Sequence, residues 1–354
     1  MTDLRSLSRE TLAAELAALN LPAYRADQVF AWLQKRGARS FAEMTDLSKA
    51  DRARLAERFT LSACAAERKL VSAQDGTVKY LFRLADGEYV ESVVMRYRYG
   101  LTICVSTQAG CKMGCAFCAS GLGGFSRDLL PGEILGQILE AQRDLGEMIS
   151  RVVLMGMGEP LDNYGNVLAF LRLISHPDGL NISLRKISLS TCGLVPRIHD
   201  LRRERLGLTL SVSLHAPNDA VRDRLIPVNR RWPLAELLPA CEAYARDTSR
   251  RISFEYALIR NVNDSPACAR ELAGKLRPIL CHVNLIPVND VPEQGFVRSP
   301  AAAVAAFAAE LEQRGLPATV RRRLGGDIDA SCGQLRRRQT MQNLGTPGAP
   351  APLK

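Results

Sequence analysis

The chain has 354 residues, 47% of them apolar and 24% charged, and 47 Lys and Arg against 37 Asp and Glu give it a net charge of +10. That length supports a sizeable core and about two domains, and the composition is that of a soluble globular protein, not a disordered or fibrous one. No run of about 18 apolar residues marks a transmembrane helix, and the opening MTDLRSLSRETLAAEL carries early acids and no apolar h-region, which argues against a secretory signal and for a cytoplasmic location.

Residues 1–60 read as a helical module. SRETLAAELAALNL opens on a Ser cap. RADQVFAWLQKRG places apolar Val29, Phe30, Trp32 and Leu33 ahead of Gly37 as a stop, and SKADRARLAERF is an Arg-rich amphipathic helix. Residues 61–100 alternate polar and apolar positions around Asp-Gly turns, the pattern of a β-hairpin or meander extension. From 101 to 322 the texture changes. TICVST, RVVLMGM, KISLST, LTLSVSLHA, ISFEYALI and HVNLIPV are short runs rich in β-branched residues. Helical patterns such as PGEILGQILEAQRDLG, PLAELLPACEAYARD and SPAAAVAAFAAELEQRG separate most of them. Strands alternating with helices predict an α/β fold whose parallel sheet is apolar and buried on both faces. Six such strands fit a partial (β/α)6 barrel and equally an open doubly wound sheet. In both, functional groups collect at the carboxyl ends of the strands. Residues 323–341 form a glycine-flanked loop around Cys332, and 342–354, rich in Pro and Gly, reads as a disordered tail. Arginines cluster around 202–205, 230–232, 321–323 and 336–338, which points to a polyanionic partner such as nucleic acid. Arg52, Arg54 and Arg58 of the third N-terminal helix would add to that affinity.

The densest chemistry lies in STQAGCKMGCAFCASG, where Cys111, Cys115 and Cys118 are spaced C-x3-C-x2-C. Ten cysteines in a reducing compartment favour metal ligation, redox chemistry or buried packing over a disulfide framework. Thiolates suit zinc or iron–sulfur clusters. A structural zinc site takes a fourth Cys or His, and none is near: the closest His is His176, and Cys104 lies inside the preceding strand. Three ligands would leave one iron of a four-iron cluster open to the amine and carboxylate of a small molecule. An electron-transfer iron–sulfur protein and a zinc-stabilised RNA-binding module are the non-enzymatic alternatives.

This motif follows the first strand of a βα repeat and has Phe117 before its last cysteine; it resembles that of the radical S-adenosylmethionine (SAM) superfamily. The resemblance implies a [4Fe-4S] cluster held by Cys111, Cys115 and Cys118, with SAM on the remaining iron. It also implies that Gly158 and Glu159 of MGMGEP bind the SAM amino group. VSTQAGCKMGCAFCAS, MGMGEPLDNY, SLHAPND, LIPVN and DIDASCGQL further resemble the bacterial RNA adenine-C2 methyltransferases that act on 23S rRNA and tRNA, whose near relatives methylate C8. Such enzymes face an electron-poor carbon that cannot attack a methyl donor directly. By resemblance, Cys332 takes a methyl group from one SAM. A 5′-deoxyadenosyl radical from a second SAM then abstracts hydrogen from that S-methyl group, and the carbon radical adds to C2. Cys104 closes a disulfide with Cys332 to release the product. Glu91 is implied as the base that takes the C2 proton, although a lone Glu on a strand otherwise reads as solvent-facing. Ser190, Ser213, Leu214, His215 and Asn289 match SAM-contacting positions. The implied partners are 23S rRNA at the peptidyl transferase centre, tRNA beside the anticodon, and a reducing electron donor such as flavodoxin or ferredoxin, with the chain acting as a monomer. Cys64, Cys192, Cys241, Cys268 and Cys281 have no assigned role, and Cys241 and Cys268 read as buried helix positions.

Overall fold

A computed structural model of the chain describes residues 1–62, 64–287 and 296–328. Asn289, Cys332, most of the 323–341 loop and the 342–354 tail lie outside the described residues.

The N-terminal segment has a core of its own. Strand β1 (Thr2–Asp3) pairs in parallel with β2 (Phe59–Thr60), and between them run α1 (Arg9–Ala17), α2 (Tyr24–Gln34) and α3 (Lys49–Arg58). Ser8 and Ser48 cap α1 and α3, their hydroxyls accepting from the amides of Thr11 and Asp51. Leu12, Leu16, Val29, Phe30, Leu33 and Leu55 pack together. Trp32 lies at the rim instead: its Nε1 donates to Asp46 at 2.6 Å and the Arg36 guanidinium covers its ring. Gly37 ends α2 with φ +66°, the left-handed conformation that glycine adopts without cost.

The rest of the chain builds one ten-stranded sheet. An antiparallel meander leads in: β3 (Cys64–Val71), β4 (Val78–Leu84), β5 (Tyr89–Tyr97) and β6 (Gly100–Cys104). A separate small hairpin follows, β7 (Gln108–Gly110) and β8 (Phe125–Asp128), with the short α4 (Ala119–Leu122) inside its loop. The βα progression then runs α5 (Pro131–Leu145), β9 (Ile149–Leu154), α6 (Tyr164–Ser175), β10 (Ile187–Thr191), α7 (Val195–Glu204) and β11 (Thr209–Ser213). It continues through α8 (Asp219–Leu225), α9 (Leu234–Thr248), β12 (Ile252–Leu258), α10 (Pro266–Leu276), β13 (Cys281–Pro287), α11 (Ala301–Gln313) and β14 (Ala318–Val320). Every neighbouring pair from β6 through β9 to β14 is parallel and in sequence order, as right-handed βαβ connections require. The short β14 adds a seventh parallel strand to the six expected.

One face of this sheet is apolar throughout, while the other is mostly polar with a small apolar patch around Val93, Met95 and Cys104. Val152, Leu154, Leu189, Leu210, Val212, Val283 and Leu285 pack under the helices. The opposite parity, including Arg151, Ser188, Ser211, Ser253, Glu255 and Asn284, lines a shared chamber. The expectation of strands apolar on both faces therefore fails, and with it the doubly wound alternative: the inner face is a barrel lumen, not a second helix-covered surface. The two edge strands β3 and β14 leave a gap. Residues 325–327 reach across it, where Asp327 accepts from the Ser72 hydroxyl (2.6 Å) and the Ala73 amide (2.9 Å), and the Gly325 amide donates to Asp75 (2.8 Å).

The N-terminal segment is docked, not tethered. The Arg143 guanidinium of α5 donates to the Gly37 carbonyl, the Gly132 amide at the start of α5 donates to Ser6 Oγ, Arg39 pairs with Glu140, and Leu173 of α6 joins the N-terminal core. No helix among the described residues is long and apolar enough to cross a membrane.

Candidate active site

The cysteine loop hangs from the β7–β8 hairpin above the carboxyl ends of the barrel strands. Backbone hydrogen bonds fix it: the Cys111 amide donates to Gly124 O (3.3 Å), Ala116 to Leu225 O (2.9 Å) and Cys118 to Cys115 O (3.1 Å). This leaves the three side chains half-buried and in no disulfide. Burial pushes the Cys111 thiol up to about 11, and the nearby Cys118 pushes in the same direction. Cys115 is driven further up, by burial first and then by Cys118 and Cys111.

Beside the loop, the ends of β6 and β9 approach so closely that only glycine fits. A Cβ on Gly156 would lie 2.6 Å from the Val105 carbonyl oxygen, and one on Gly158, at φ +99°, would lie 2.5 Å from Gln108 Cβ. Glu159 is buried, and burial raises its carboxyl. One oxygen accepts from the Leu161 amide (3.0 Å) and the other from the Cys192 amide (2.7 Å), so this acid clasps the end of β9 to the end of β10. Ser190 sits half-buried at the end of β10. In the 213–215 segment the backbone is already occupied: Arg222 donates to the carbonyls of Ser213 (3.1 Å) and Leu214 (3.2 Å), and Asn263 to that of His215 (2.7 Å).

His215 adopts φ +55° and meets the Phe117 ring edge-on at 4.8 Å. Its Nδ1 accepts from the Ala257 amide at 2.8 Å, which places the ring proton on Nε2. Burial, aided by the nearby Arg222 charge, lowers its pKa to about 3. His215 is therefore a neutral hydrogen-bond donor at ordinary pH, not an acid–base group.

The lumen wall below carries the other two predicted residues. Cys104 is opposite Val93 in the β5–β6 register and packs with Val93, Met95, Val153, Met155 and Leu324. Glu91 lies two residues from Val93 on β5 and so shares the lumen-facing parity. Far from facing solvent, it is fully buried, in an ion pair with equally buried Lys79 at 3.0 Å. Lys79 is opposite Val93 on β4. The register thus brings Glu91, Lys79 and Cys104 onto adjacent strands of one face.

Comparison with known proteins fits this geometry. Residues 105–269 match the radical SAM superfamily and residues 2–61 the ribosomal RNA large subunit methyltransferase N-terminal domain. A curated relative from Desulforamulus reducens, named probable dual-specificity RNA methyltransferase RlmN, is 52% identical and covers 96% of this chain and 97% of its own. One of the same name from Clostridium tetani is 49% identical over 97% of this chain and 98% of its own. The chain belongs to the RlmN family. The crystal structure of a radical SAM methyltransferase from Sphaerobacter thermophilus superposes with a TM-score of 0.90 at 44% identity, covering 94% of this chain and 99% of that one. As a member of this family the chain is a radical SAM RNA methyltransferase whose cofactors are a [4Fe-4S] cluster and SAM.

The residues present fit those groups. Three soft thiol donors on one loop suit an iron–sulfur cluster, whose positive charge would relieve the raised pKa of Cys111 and Cys115, and the Gly156–Gly158 approach leaves a bare backbone surface beside them. Two side chains with no signal in the sequence do much of the holding. Arg222 is fully buried and also donates to Asn229 Oδ1 (2.7 Å) and Cys192 O (2.6 Å), pinning the ends of β10 and β11 with a positive charge that acts on Cys115. Gln137 donates to Ser106 O (2.9 Å) and accepts from the Ser106 amide and Ser92 Oγ. Lys79 was legible in principle, since VKYLF sets a lysine in phase with the buried face of its hairpin.

Proposed function

We propose that this protein methylates C2 of adenosine in 23S rRNA and in tRNA. Cys111, Cys115 and Cys118 hold the cluster. Gly158, Glu159, Ser190, Ser213, Leu214, His215 and Asn289 line the SAM site, with the Ser213 hydroxyl and the His215 Nε2–H as polar groups suited to ribose and adenine. The observation that carries the reading is the common lumen face of Glu91 and Cys104 below the cysteine loop. A base and a thiol placed together there have work to do only if the substrate carbon is brought into the barrel. When bound, the cluster and SAM supply a 5′-deoxyadenosyl radical.

The protein's own residues do the rest. The Cys332 thiolate accepts a methyl group by displacement and, after hydrogen abstraction, presents its methylene carbon to C2. Glu91, held by Lys79 at 3.0 Å, takes the C2 proton. The adduct gives up its one surplus electron, which would return to the cluster when that is bound; the Cys104 thiolate then bonds to the Cys332 sulfur as the sulfur–carbon bond to the product breaks, and the released carbon takes up a proton to become the methyl group, leaving a disulfide that must be reduced before the next turnover. A cytoplasmic monomer served by flavodoxin or ferredoxin completes the proposal.

The test is anaerobic turnover of the holoenzyme with SAM, reductant and RNA, followed by mass spectrometry of the nucleosides. The expected product is 2-methyladenosine in both rRNA and tRNA. If 8-methyladenosine is found instead, the regiochemistry is wrong, and if no methylated adenosine forms the whole reading fails. In the same assay Cys104→Ala should accumulate a nuclease-sensitive protein–RNA adduct.

A further inference from the structure

The lumen opens at its other end into a chamber of about 550 Å³, at the amino ends of the parallel strands. Arg151, Arg185 and Lys186 line it at that end, and Arg321 and Arg322 reach it from beyond the carboxyl end of the short edge strand β14. None of these five forms an ion pair among the described residues, whereas the arginines of α7 are neutralised by Asp200 and Asp247. At the same rim Tyr97 and Tyr99 stack with ring centroids 5.0 Å apart, and Arg151 covers the Tyr99 ring at 4.5 Å. Tyr99 is 57% exposed. The walls are polar, with Ser188 and Ser211 hydrogen-bonded at 2.8 Å and Glu255 held by Ser253 (2.8 Å) and Asn284 (2.7 Å). The inner end consists of Met95, Val153 and Met155, which are also the packing partners of Cys104.

We propose that this chamber is the RNA entrance: the target nucleotide is extruded into the barrel from the amino-terminal end, opposite the cysteine loop. The inference rests on the RNA methyltransferase reading above and assigns residues to it. A base cannot be modified inside a helical stack, so it has to be flipped out. A flipped nucleotide needs cations for its flanking phosphates and an aromatic face for a neighbouring base. Unpaired cations beside a stacked tyrosine pair supply both, and a nucleotide passing them meets the Cys104 wall directly. Arg185, Lys186, Arg321 and Arg322 bind phosphates, and Tyr99 with Arg151 stacks on a base.

The test uses the reconstituted holoenzyme and a target-site RNA hairpin carrying 2-aminopurine beside the target adenosine. Arg185→Glu/Lys186→Glu should weaken RNA binding roughly tenfold or more and lower the salt slope of log Kd by about 1.4–1.8 for two lost phosphate contacts. Tyr99→Ala, a surface change with little cost to folding, should abolish the stacking change in 2-aminopurine fluorescence on binding. Both variants should keep wild-type iron content and RNA-independent methylation of Cys332. Arg203→Glu on α7, whose guanidinium is already paired, is the control and should bind RNA like wild type. Wild-type affinity, salt slope and fluorescence in the chamber variants would overturn the entrance. Failure of the wild-type enzyme to methylate any RNA would instead overturn the underlying function, which the binding measurements do not depend on.

Discussion

Single side chains set the electrostatics of this lumen, and two of them give measurable signatures. Lys79 and Glu91 are both fully buried at 3.0 Å. Removing one partner of such a pair strands a charge in a low-dielectric site, whereas replacing both with apolar groups is often tolerated. Lys79→Met should therefore destabilise the fold by about 3–5 kcal/mol. Lys79→Met/Glu91→Leu should recover most of that while staying inactive; equal loss in the single and double variants, by denaturant titration, would show that the pair is not coupled. His215 gives a pH signature. Its folded pKa, about 3, lies below the unfolded value of 6.5, so the unfolded chain gains a proton that the folded chain refuses. The contribution is present in full above about pH 6.5 and is lost as pH falls below it, with a limiting slope of about 1.4 kcal/mol per pH unit. His215→Gln should flatten that part of the stability profile between pH 7 and 5, and an unchanged slope in the variant would mean that the imidazole takes up its proton in the folded state.

At the level of elements, what could be read from sequence and what could not divides on physical grounds. The six long parallel strands were legible because β-branched runs recur between helical patterns. Alternation within KISLST and LTLSVS also carried the barrel signature, because Ser and Thr at every second position belong to a polar lumen and not to a helix-covered face. β14 was missed because three residues with an exposed Thr319 and Val320 leave no periodic trace. α7 was missed because its Arg-rich composition hides an apolar stripe of only Val195, Ile198 and Leu201. The Cys111–Cys118 loop stood out from its spacing together with its place after the first strand of a βα repeat, while Arg222 did not: nothing in VRDRL announces that one arginine turns inward to bind four acceptors. Gly158 of GMGEP was read as a cofactor contact and Gly156 was given no role, yet the first duty of both is steric. Gly156→Ala would force a Cβ to within 2.6 Å of a backbone oxygen and should cost about 1–3 kcal/mol by overpacking. By separating the ends of β6 and β9 it should also lower iron retained after anaerobic reconstitution. Full iron and wild-type stability in this variant would show that the strand ends yield freely.

Over the whole molecule, charge is distributed unequally between structural and recognition duties. Several arginines that the sequence offers for RNA are already engaged: Arg52 and Arg54 donate to the carbonyls of Ala42 and Leu19, Arg25 pairs with Asp51, and Arg39 with Glu140. The N-terminal segment also shares its core with Leu173 and anchors the start of α5 through Ser6. Deleting residues 1–60 would therefore expose barrel surface and confound any binding measurement. Charge reversal at exposed, unpaired positions is cleaner, and α3 offers Lys49 and Arg58 at its two ends. If this helix tracks a phosphate backbone, Lys49→Glu/Arg58→Glu should lower the salt slope of log Kd by about 1.4–1.8. The melting temperature should not move, because neither side chain makes an ion pair among the described residues. Combined with Arg185→Glu/Lys186→Glu at the lumen mouth, the slope reductions should add, since contacts to separate phosphates release their counterions independently. A combined slope no lower than that of the lumen variant alone, measured by filter binding across a salt series, would confine RNA contact to the barrel mouth and leave the N-terminal helices a purely structural part.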